Sequence, residues 1–115
     1  MKKKKSFIEK KIKDYFYFFS KKKLEQLAEL FSSNIVLQDW TIKLKGKKKV
    51  KKFNSNLFKK FKNIDVNLEE SFFAENNMTV VCKLKIKLDK KKIDVVDIIY
   101  FNKKFRIKKI IAYLG

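Results

Sequence analysis

The stretch MTVVCKLKIKL, residues 78–88, decides the fold. Hydrophobic residues stand at every second position from Met78 to Leu88, with Val81 as one addition, and three lysines stand between them in the second half. Because successive side chains of a strand point to opposite faces, this alternation predicts a strand with one buried face and one lysine-rich face in solvent.

Further strand patterns lie on both sides of this stretch. Ile64–Leu68 alternates before it, and Asn76-Asn77 predicts the hairpin turn that leads into it. A turn at Asp89–Lys92 follows, and then the apolar segments Ile93–Phe101 and Phe105–Leu114. The second half of the chain therefore predicts four strands joined by short turns.

The first half of the chain predicts helices. Ser6 and Glu9 form a capping box, so we expect the first helix to begin at Ser6 and residues 1–5 to form a disordered basic tail. A second, shorter helix starts at Leu24 and ends at the polar turn Ser32–Asn34.

Two short strands and a third helix complete the pattern. Ile35–Trp40 and a shorter segment through Leu44 predict the strands, and an amphipathic helix follows Gly46. The fold class is therefore α+β: three helices packed on a curved, mostly antiparallel sheet with an apolar pocket between them. Residues 6–115 are long enough for a single domain.

The charge of the chain is +19, which normally indicates binding to nucleic acid or to an anionic membrane. All of the 31 basic residues except Arg106 are lysine, whereas proteins that bind phosphate favour the bidentate guanidinium. The residues that dominate the chain also share AT-rich codons. Codon composition therefore explains the lysines without any ligand. Attraction of anions, including a nucleic acid, is the alternative, but nucleic acid is not the predicted partner.

The absence of histidine excludes several classes of enzyme. Ser-His-Asp and Cys-His nucleophile systems need an imidazole base, and one cysteine cannot supply the missing ligands of a zinc site. No metal or cofactor is predicted, and Cys82 is interpreted as a small core residue. A single cysteine and the lack of any apolar run that could span a membrane predict a cytoplasmic protein.

Three residues are candidates for chemistry. Asp97 lies between apolar neighbours in a predicted strand, so burial would keep its carboxyl neutral and able to donate a hydrogen bond. Asp39, at a strand end beside Trp40, is a candidate general base, and Tyr15 lies on the apolar face of the first helix. Each has a structural alternative: an Asp97 bonded to backbone or lysine, a solvated Asp39, and a Tyr15 that only packs.

Several segments together resemble the ketosteroid isomerases and the SnoaL-like proteins of the NTF2-like (cystatin-like) superfamily. The segments that carry the resemblance are Tyr15 with Leu24–Phe31, Val36–Asp39, Gly46 with the helix after it, Val95–Ile98 and Ile110–Gly115. The resemblance covers nearly the whole chain and implies a cone-shaped fold around one pocket.

The resemblance also implies roles for the candidate residues. Tyr15 and a protonated Asp97 would hold an enolate oxygen while Asp39 shuttles the proton. The expected pocket lining is Trp40, Phe53, Val95, Ile99, Ala112 and Leu114. Trp40 stands where the family has a proline, and Asn54 stands where some isomerases have a tyrosine.

The predicted function is cofactor-independent proton transfer on a small apolar carbonyl compound, as in a steroid delta-isomerase or a SnoaL-like cyclase. The alternative is a non-catalytic module that binds a small ligand or acts as a dimeric adaptor. The strand with Asp97 is apolar on both faces, with Val96, Ile98 and Tyr100 opposite the pocket side. That second face predicts a homodimer through the sheet.

Overall fold

The computed structural model describes residues 2–115, and Met1, the first residue of the predicted tail, lies outside them. The elements in chain order are α1 (Lys2–Ser20), α2 (Leu24–Glu29), β1 (Phe31–Gln38), β2 (Lys43–Lys45), α3 (Lys47–Lys60), β3 (Ile64–Phe73), β4 (Thr79–Leu88), β5 (Lys91–Phe101) and β6 (Ile107–Leu114). The predicted order of helices and strands is confirmed.

The first helix is longer than the capping box predicted. α1 begins at Lys2, so the lysines at positions 2–5 are helical rather than a disordered tail. Lysine is a good helix former, and these residues include no glycine or proline that would stop a helix. The Lys5 ammonium lies 5.1 Å from the centre of the Phe73 ring, a contact that joins the first turns of α1 to β3. As the spacing predicted, Ile8 and Ile12 are buried.

The predicted turn at Ser32–Asn34 is wrong, because these residues belong to β1. The parallel pairing of β1 with β6 already starts at Phe31 and Ile107, and its register shifts before it resumes at Val36. The polar residues thus occupy an irregular part of the strand. A register shift of this kind cannot be read from the turn propensity of serine and asparagine alone.

The six strands form one open sheet in the order β2-β1-β6-β5-β4-β3. Every neighbouring pair is antiparallel except β1 with β6. The mostly antiparallel sheet is therefore confirmed. In β4, Val80, Cys82 and Leu84 are buried while the lysines between positions 82 and 88 are exposed, which is the alternation that the sequence predicted.

Two of the turns between strands place residues that tolerate a positive φ at the positions that need one. Asn77 (φ 57°) lies in the β3–β4 turn and Asp89 (φ 54°) in the β4–β5 turn. Gly46 has φ 98° and precedes α3, a conformation that residues with a side chain rarely adopt.

The helices cover one face of the sheet, and polar contacts join α2 to α3 and to the chain just before β6. The Lys51 ammonium lies 2.7 Å from the Glu25 carboxylate, which joins α3 to α2. Arg106 donates to the carbonyl of Glu29 at the end of α2, at 3.0 Å. The buried hydrophobic residues form one cluster between the helices and the sheet. Among residues 2–115, no helix has the length and hydropathy to cross a membrane.

Candidate functional site

A cavity of about 180 Å³ lies between the helices and the inner face of the sheet. Its walls come from α1, α3, the end of β1 and strands β3 to β6, and most of the lining side chains are hydrophobic. The polar side chains in the lining are Tyr15, Asp39, Asn54 and Asp97, together with the indole of Trp40.

Asp97 lies at the centre of the sheet wall. It belongs to β5 and is paired with Cys82 of β4 on one side and Ala112 of β6 on the other. Both neighbours are small, so they leave space in front of the carboxyl. Only 8% of Asp97 is exposed, and burial raises the pKa of its carboxyl from 3.8 to about 7.

Tyr15 approaches the same region from α1. Its ring packs against Phe16 (5.1 Å between ring centres) and Phe31 (6.3 Å), and the residue is buried. Burial raises the pKa of the phenol well above its ordinary value, and the nearby Asp97 and then Cys82 raise it further. The phenol is therefore protonated and lies close enough to Asp97 to feel its charge.

The inward-facing polar groups are not paired with one another. None of the side-chain hydrogen bonds within residues 2–115 involves the Tyr15 phenol, the Asn54 amide or the Asp97 carboxyl. In the same part of the chain, every side-chain nitrogen or oxygen atom that is wholly shielded from solvent has a hydrogen-bond partner. It follows that the polar atoms of these three side chains reach the cavity space, where a ligand could bond to them.

Asp39 lies at the mouth of the cavity and is half-buried. Its Oδ1 accepts hydrogen bonds from the backbone N–H of Thr41 (2.7 Å), the backbone N–H of Ile42 (2.8 Å) and the Thr41 hydroxyl (3.1 Å). One carboxylate oxygen thus stabilises the turn after β1. The other oxygen, Oδ2, has no part in these three bonds.

The expected lining residues divide into two groups. Trp40, Phe53, Val95 and Ala112 line the same cavity as Tyr15, Asp39 and Asp97. Ile99 is fully buried in the core next to Val80 and Ile110, and Leu114 is 51% exposed near the end of β6; neither belongs to the lining.

Asn54 is a polar wall residue that the sequence did not single out as a ligand contact. Val50, Asn54 and Phe58 are the buried residues of α3, and only 3% of Asn54 is exposed. Their spacing of four places them on one face of the helix. An asparagine between two hydrophobic residues at this spacing is the signal that could have revealed it.

A larger groove of about 890 Å³ runs between α1 and β3. Lys13, Lys21, Lys62 and Lys87 are among its lining residues, and it contains none of the predicted site residues. Its lysines are surface residues like most in this chain, so the smaller cavity with the buried carboxyl is the better candidate site. Within residues 2–115, no cluster of three or more Cys, Asp or Glu residues could hold a metal ion.

Comparison with known proteins identifies the fold. No family model matches the sequence, and no curated protein is significantly similar to it. Three solved structures illustrate the structural similarity.

A SnoaL-like protein of unknown function from Burkholderia thailandensis has a TM-score of 0.84 at 10% identity, over 96% of this chain and 95% of that one. A candidate ketosteroid isomerase from Kribbella flavida has a TM-score of 0.81 at 9% identity, over 96% and 78%. An NTF2-like protein of unknown function from Cytophaga hutchinsonii has a TM-score of 0.79 at 11% identity, over 94% and 89%. The chain therefore has the NTF2-like fold, which the sequence predicted; identities this low show the fold alone.

Proposed function

We propose that this protein is a cofactor-independent proton-transfer enzyme that acts on a small apolar carbonyl compound, as an isomerase or a cyclase. The observation that carries the proposal is that Tyr15 and Asp97, both buried, line one hydrophobic cavity with Asp39 at its mouth.

Tyr15 and Asp97 would stabilise the negative charge that develops on the carbonyl oxygen. When its proton is lost from the adjacent carbon, the substrate becomes an enolate, and two hydrogen-bond donors in a water-poor cavity stabilise that oxygen strongly. Both donors are unpaired within the described chain. Burial raises the pKa of the Tyr15 phenol and raises that of the Asp97 carboxyl to about 7, which favours the protonated form of each group. No rearrangement of protein hydrogen bonds is then needed for them to bind the oxygen.

Asp39 would be the base. Its Oδ2 takes the proton from the carbon next to the carbonyl and returns it to a different carbon, so the double bond moves and no proton is gained or lost overall. The three hydrogen bonds to Oδ1 hold the carboxylate in position during both transfers.

The test is isomerisation of cyclohex-3-enone and of a β,γ-unsaturated 3-ketosteroid, followed by the ultraviolet absorbance of the conjugated enone. Asp39→Asn should lower turnover by about 10²–10⁴-fold, the usual contribution of a general base. Asp65→Asn is the matched control, since Asp65 is an exposed strand carboxylate outside the cavity lining and its loss should leave the rate unchanged. The proposal is wrong if Asp39→Asn keeps the wild-type rate, or if the wild type turns over neither of the two ketones above background.

A non-catalytic binding module is the second candidate function. The three hydrogen bonds to Asp39 Oδ1 favour it, because they give this carboxylate a sufficient structural reason to be present. Under this alternative the wild type and Asp39→Asn bind a saturated ketone equally well, and neither turns over an unsaturated one.

We also propose a homodimer through the outer face of the sheet. Val96, Ile98 and Tyr100 are only half-buried there, and Phe72 and Tyr113 at the sides of this face are more than half exposed. Ile98 is paired with Val81 and Ile111, so an apolar row crosses the central strands. Ile98→Asp should yield a monomer in light-scattering measurements, whereas Lys85→Asp, a charge change on the same face, should not. A wild type that is monomeric at all concentrations would exclude the dimer.

A further inference from the structure

The volume of the cavity limits the size of its ligand. At about 180 Å³ it is close to the engineered protein cavity of about 150 Å³ that binds benzene, and below the roughly 300–1,000 Å³ of sites for drug-sized ligands. A single six-membered ring with one or two substituents fits this space. Four fused rings do not.

The walls that set this volume belong to the packed core. Leu84, Val95 and Ile110 in the sheet wall are almost completely buried, and each is paired with a neighbouring strand of the sheet. Enlarging the cavity inward would require these strands to repack, which densely packed interiors resist. Trp40, at 49% exposure, is the most exposed of the lining residues.

Asn54 adds a second polar contact. Its amide is on α3, whereas Asp97 is on β5, so the two groups reach the cavity from different walls. A buried amide without a partner is costly to keep, and one with an open path to a ligand is a ready hydrogen-bonding site. A hydroxyl on the ligand can satisfy either end of the amide, since it both donates and accepts.

We infer that the ligand of this cavity is a single-ring ketone with a second polar group, a hydroxyl or a further carbonyl, which the Asn54 amide binds. The inference rests on the proposed function in one respect: the ketone oxygen is taken to bind at Tyr15 and Asp97. It goes further by giving the ligand an upper size and a second functional group, and by giving Asn54 the role of selecting it.

Binding of saturated ketones tests the inference without any need for turnover. The probes are cyclohexanone, 3- and 4-hydroxycyclohexanone and a saturated 3-ketosteroid, titrated into the full chain and followed by the NMR signal of the Trp40 indole N–H. Trp40 is the only tryptophan and lines the cavity, so its signal is unambiguous. The wild type should bind one of the hydroxyketones at least 5-fold more tightly than cyclohexanone, and the steroid at least 10-fold more weakly than that hydroxyketone.

Asn54→Leu removes the amide at nearly constant size. This variant should bind cyclohexanone as well as the wild type does and should lose the preference for the hydroxyl. Asn54→Ala gives the same readout if the leucine variant does not fold. Asn56→Leu is the matched control, because Asn56 is exposed on the same helix, and it should keep the preference.

The inference would be overturned by equal affinities for all the single-ring ketones, by a hydroxyl preference that survives removal of Asn54, or by tightest binding of the steroid. Absence of binding by every single-ring ketone would overturn it as well. The turnover of cyclohex-3-enone separates this inference from the proposed function. If the wild type shows the Asn54-dependent preference but no turnover, the inferred ligand stands and the proposed enzymatic function is wrong. If it shows turnover but no preference, the enzymatic function stands and the inferred ligand is wrong.

Discussion

Cys82 lies directly opposite Asp97 across the β4–β5 pairing, and both residues are buried. A thiol and a carboxyl thus share the innermost part of the sheet, with Ala112 on the other side of the carboxyl. None of these neighbours brings a positive charge to Asp97. This surrounding, rather than any single contact, raises the pKa of the acid to about 7, so that much of it remains protonated at neutral pH.

The stability of the protein should fall as the pH rises through this ionisation. The pKa of Asp97 is about 7 in the folded chain and about 3.8 when exposed, so the folded state binds the proton more tightly. The stabilising contribution is complete below about pH 4 and is lost by about pH 7, with a total of up to about 4 kcal/mol. Asp97→Asn should remove this pH dependence and be more stable than the wild type at pH 8.

Urea denaturation of both proteins at pH 5 and pH 8 measures this effect. Asp65→Asn, an exposed aspartate, is the control and should follow the wild type at both values. Equal loss of stability between the two pH values in the wild type and in Asp97→Asn would show that the Asp97 carboxyl is not the titrating group.

Tyr15→Phe should separate catalysis from packing. The phenol takes part in none of the side-chain hydrogen bonds within residues 2–115, so its removal should change the free energy of unfolding by less than about 1 kcal/mol. Turnover of cyclohex-3-enone should nevertheless fall by about 10²–10³-fold, the usual cost of losing one oxyanion donor. A loss of stability with unchanged turnover would make Tyr15 a packing residue only.

The Cys82 thiol should be unreactive in the folded protein. It is fully buried, and burial followed by the charge of Asp97 raises its pKa to about 12, so the reactive thiolate is scarce at pH 8. Labelling with a disulfide reagent should require urea. A Cys82→Ala protein with Ser33→Cys, where Ser33 is exposed, is the positive control and should react at once. Comparable rates for Cys82 and Cys at position 33 would contradict the buried placement.

Gly46→Ala should cost about 1–3 kcal/mol of stability through backbone strain. A Cβ at this position would meet nothing within 4 Å, so the cost comes from φ 98° and not from a clash. Lys48→Ala, an exposed residue in the first turn of α3, should be neutral or slightly stabilising in the same thermal or urea melt. An unchanged melt for Gly46→Ala would mean that the turn relaxes to an ordinary conformation.

Sequence patterns predicted the elements whose side chains repeat with a simple period. The alternation of β4 and the helical spacing of Ile8 and Ile12 both reflect one buried face, and the structure has both. They failed where pairing with a distant strand decides the conformation. Ser32–Asn34 is extended because β1 lies along β6, a partner more than 70 residues away in the chain.

The site was predictable in part for a similar reason. Asp97 is conspicuous because it interrupts a hydrophobic strand, and the raised pKa that its surroundings predicted is present. Alternation also grouped Ile99 with Asp97, but it cannot say how far along a strand the cavity extends. Asn54 was missed as a contact because a single polar residue on a lysine-rich helix does not stand out.

The parallel pairing of β1 with β6 has a consequence for folding of the protein during its synthesis. The helices and β1 are synthesised before β6, the strand that pairs with β1 and supplies Ile110 and Ala112 to the cavity. Until then, the nascent chain exposes the hydrophobic faces of its helices and of an unfinished sheet, the state in which chains aggregate or are bound by chaperones. A chain that ends a few residues before Ile107 would lack β6, one of the two middle strands of the sheet. Cellular quality control would treat such a chain as an unfolded protein.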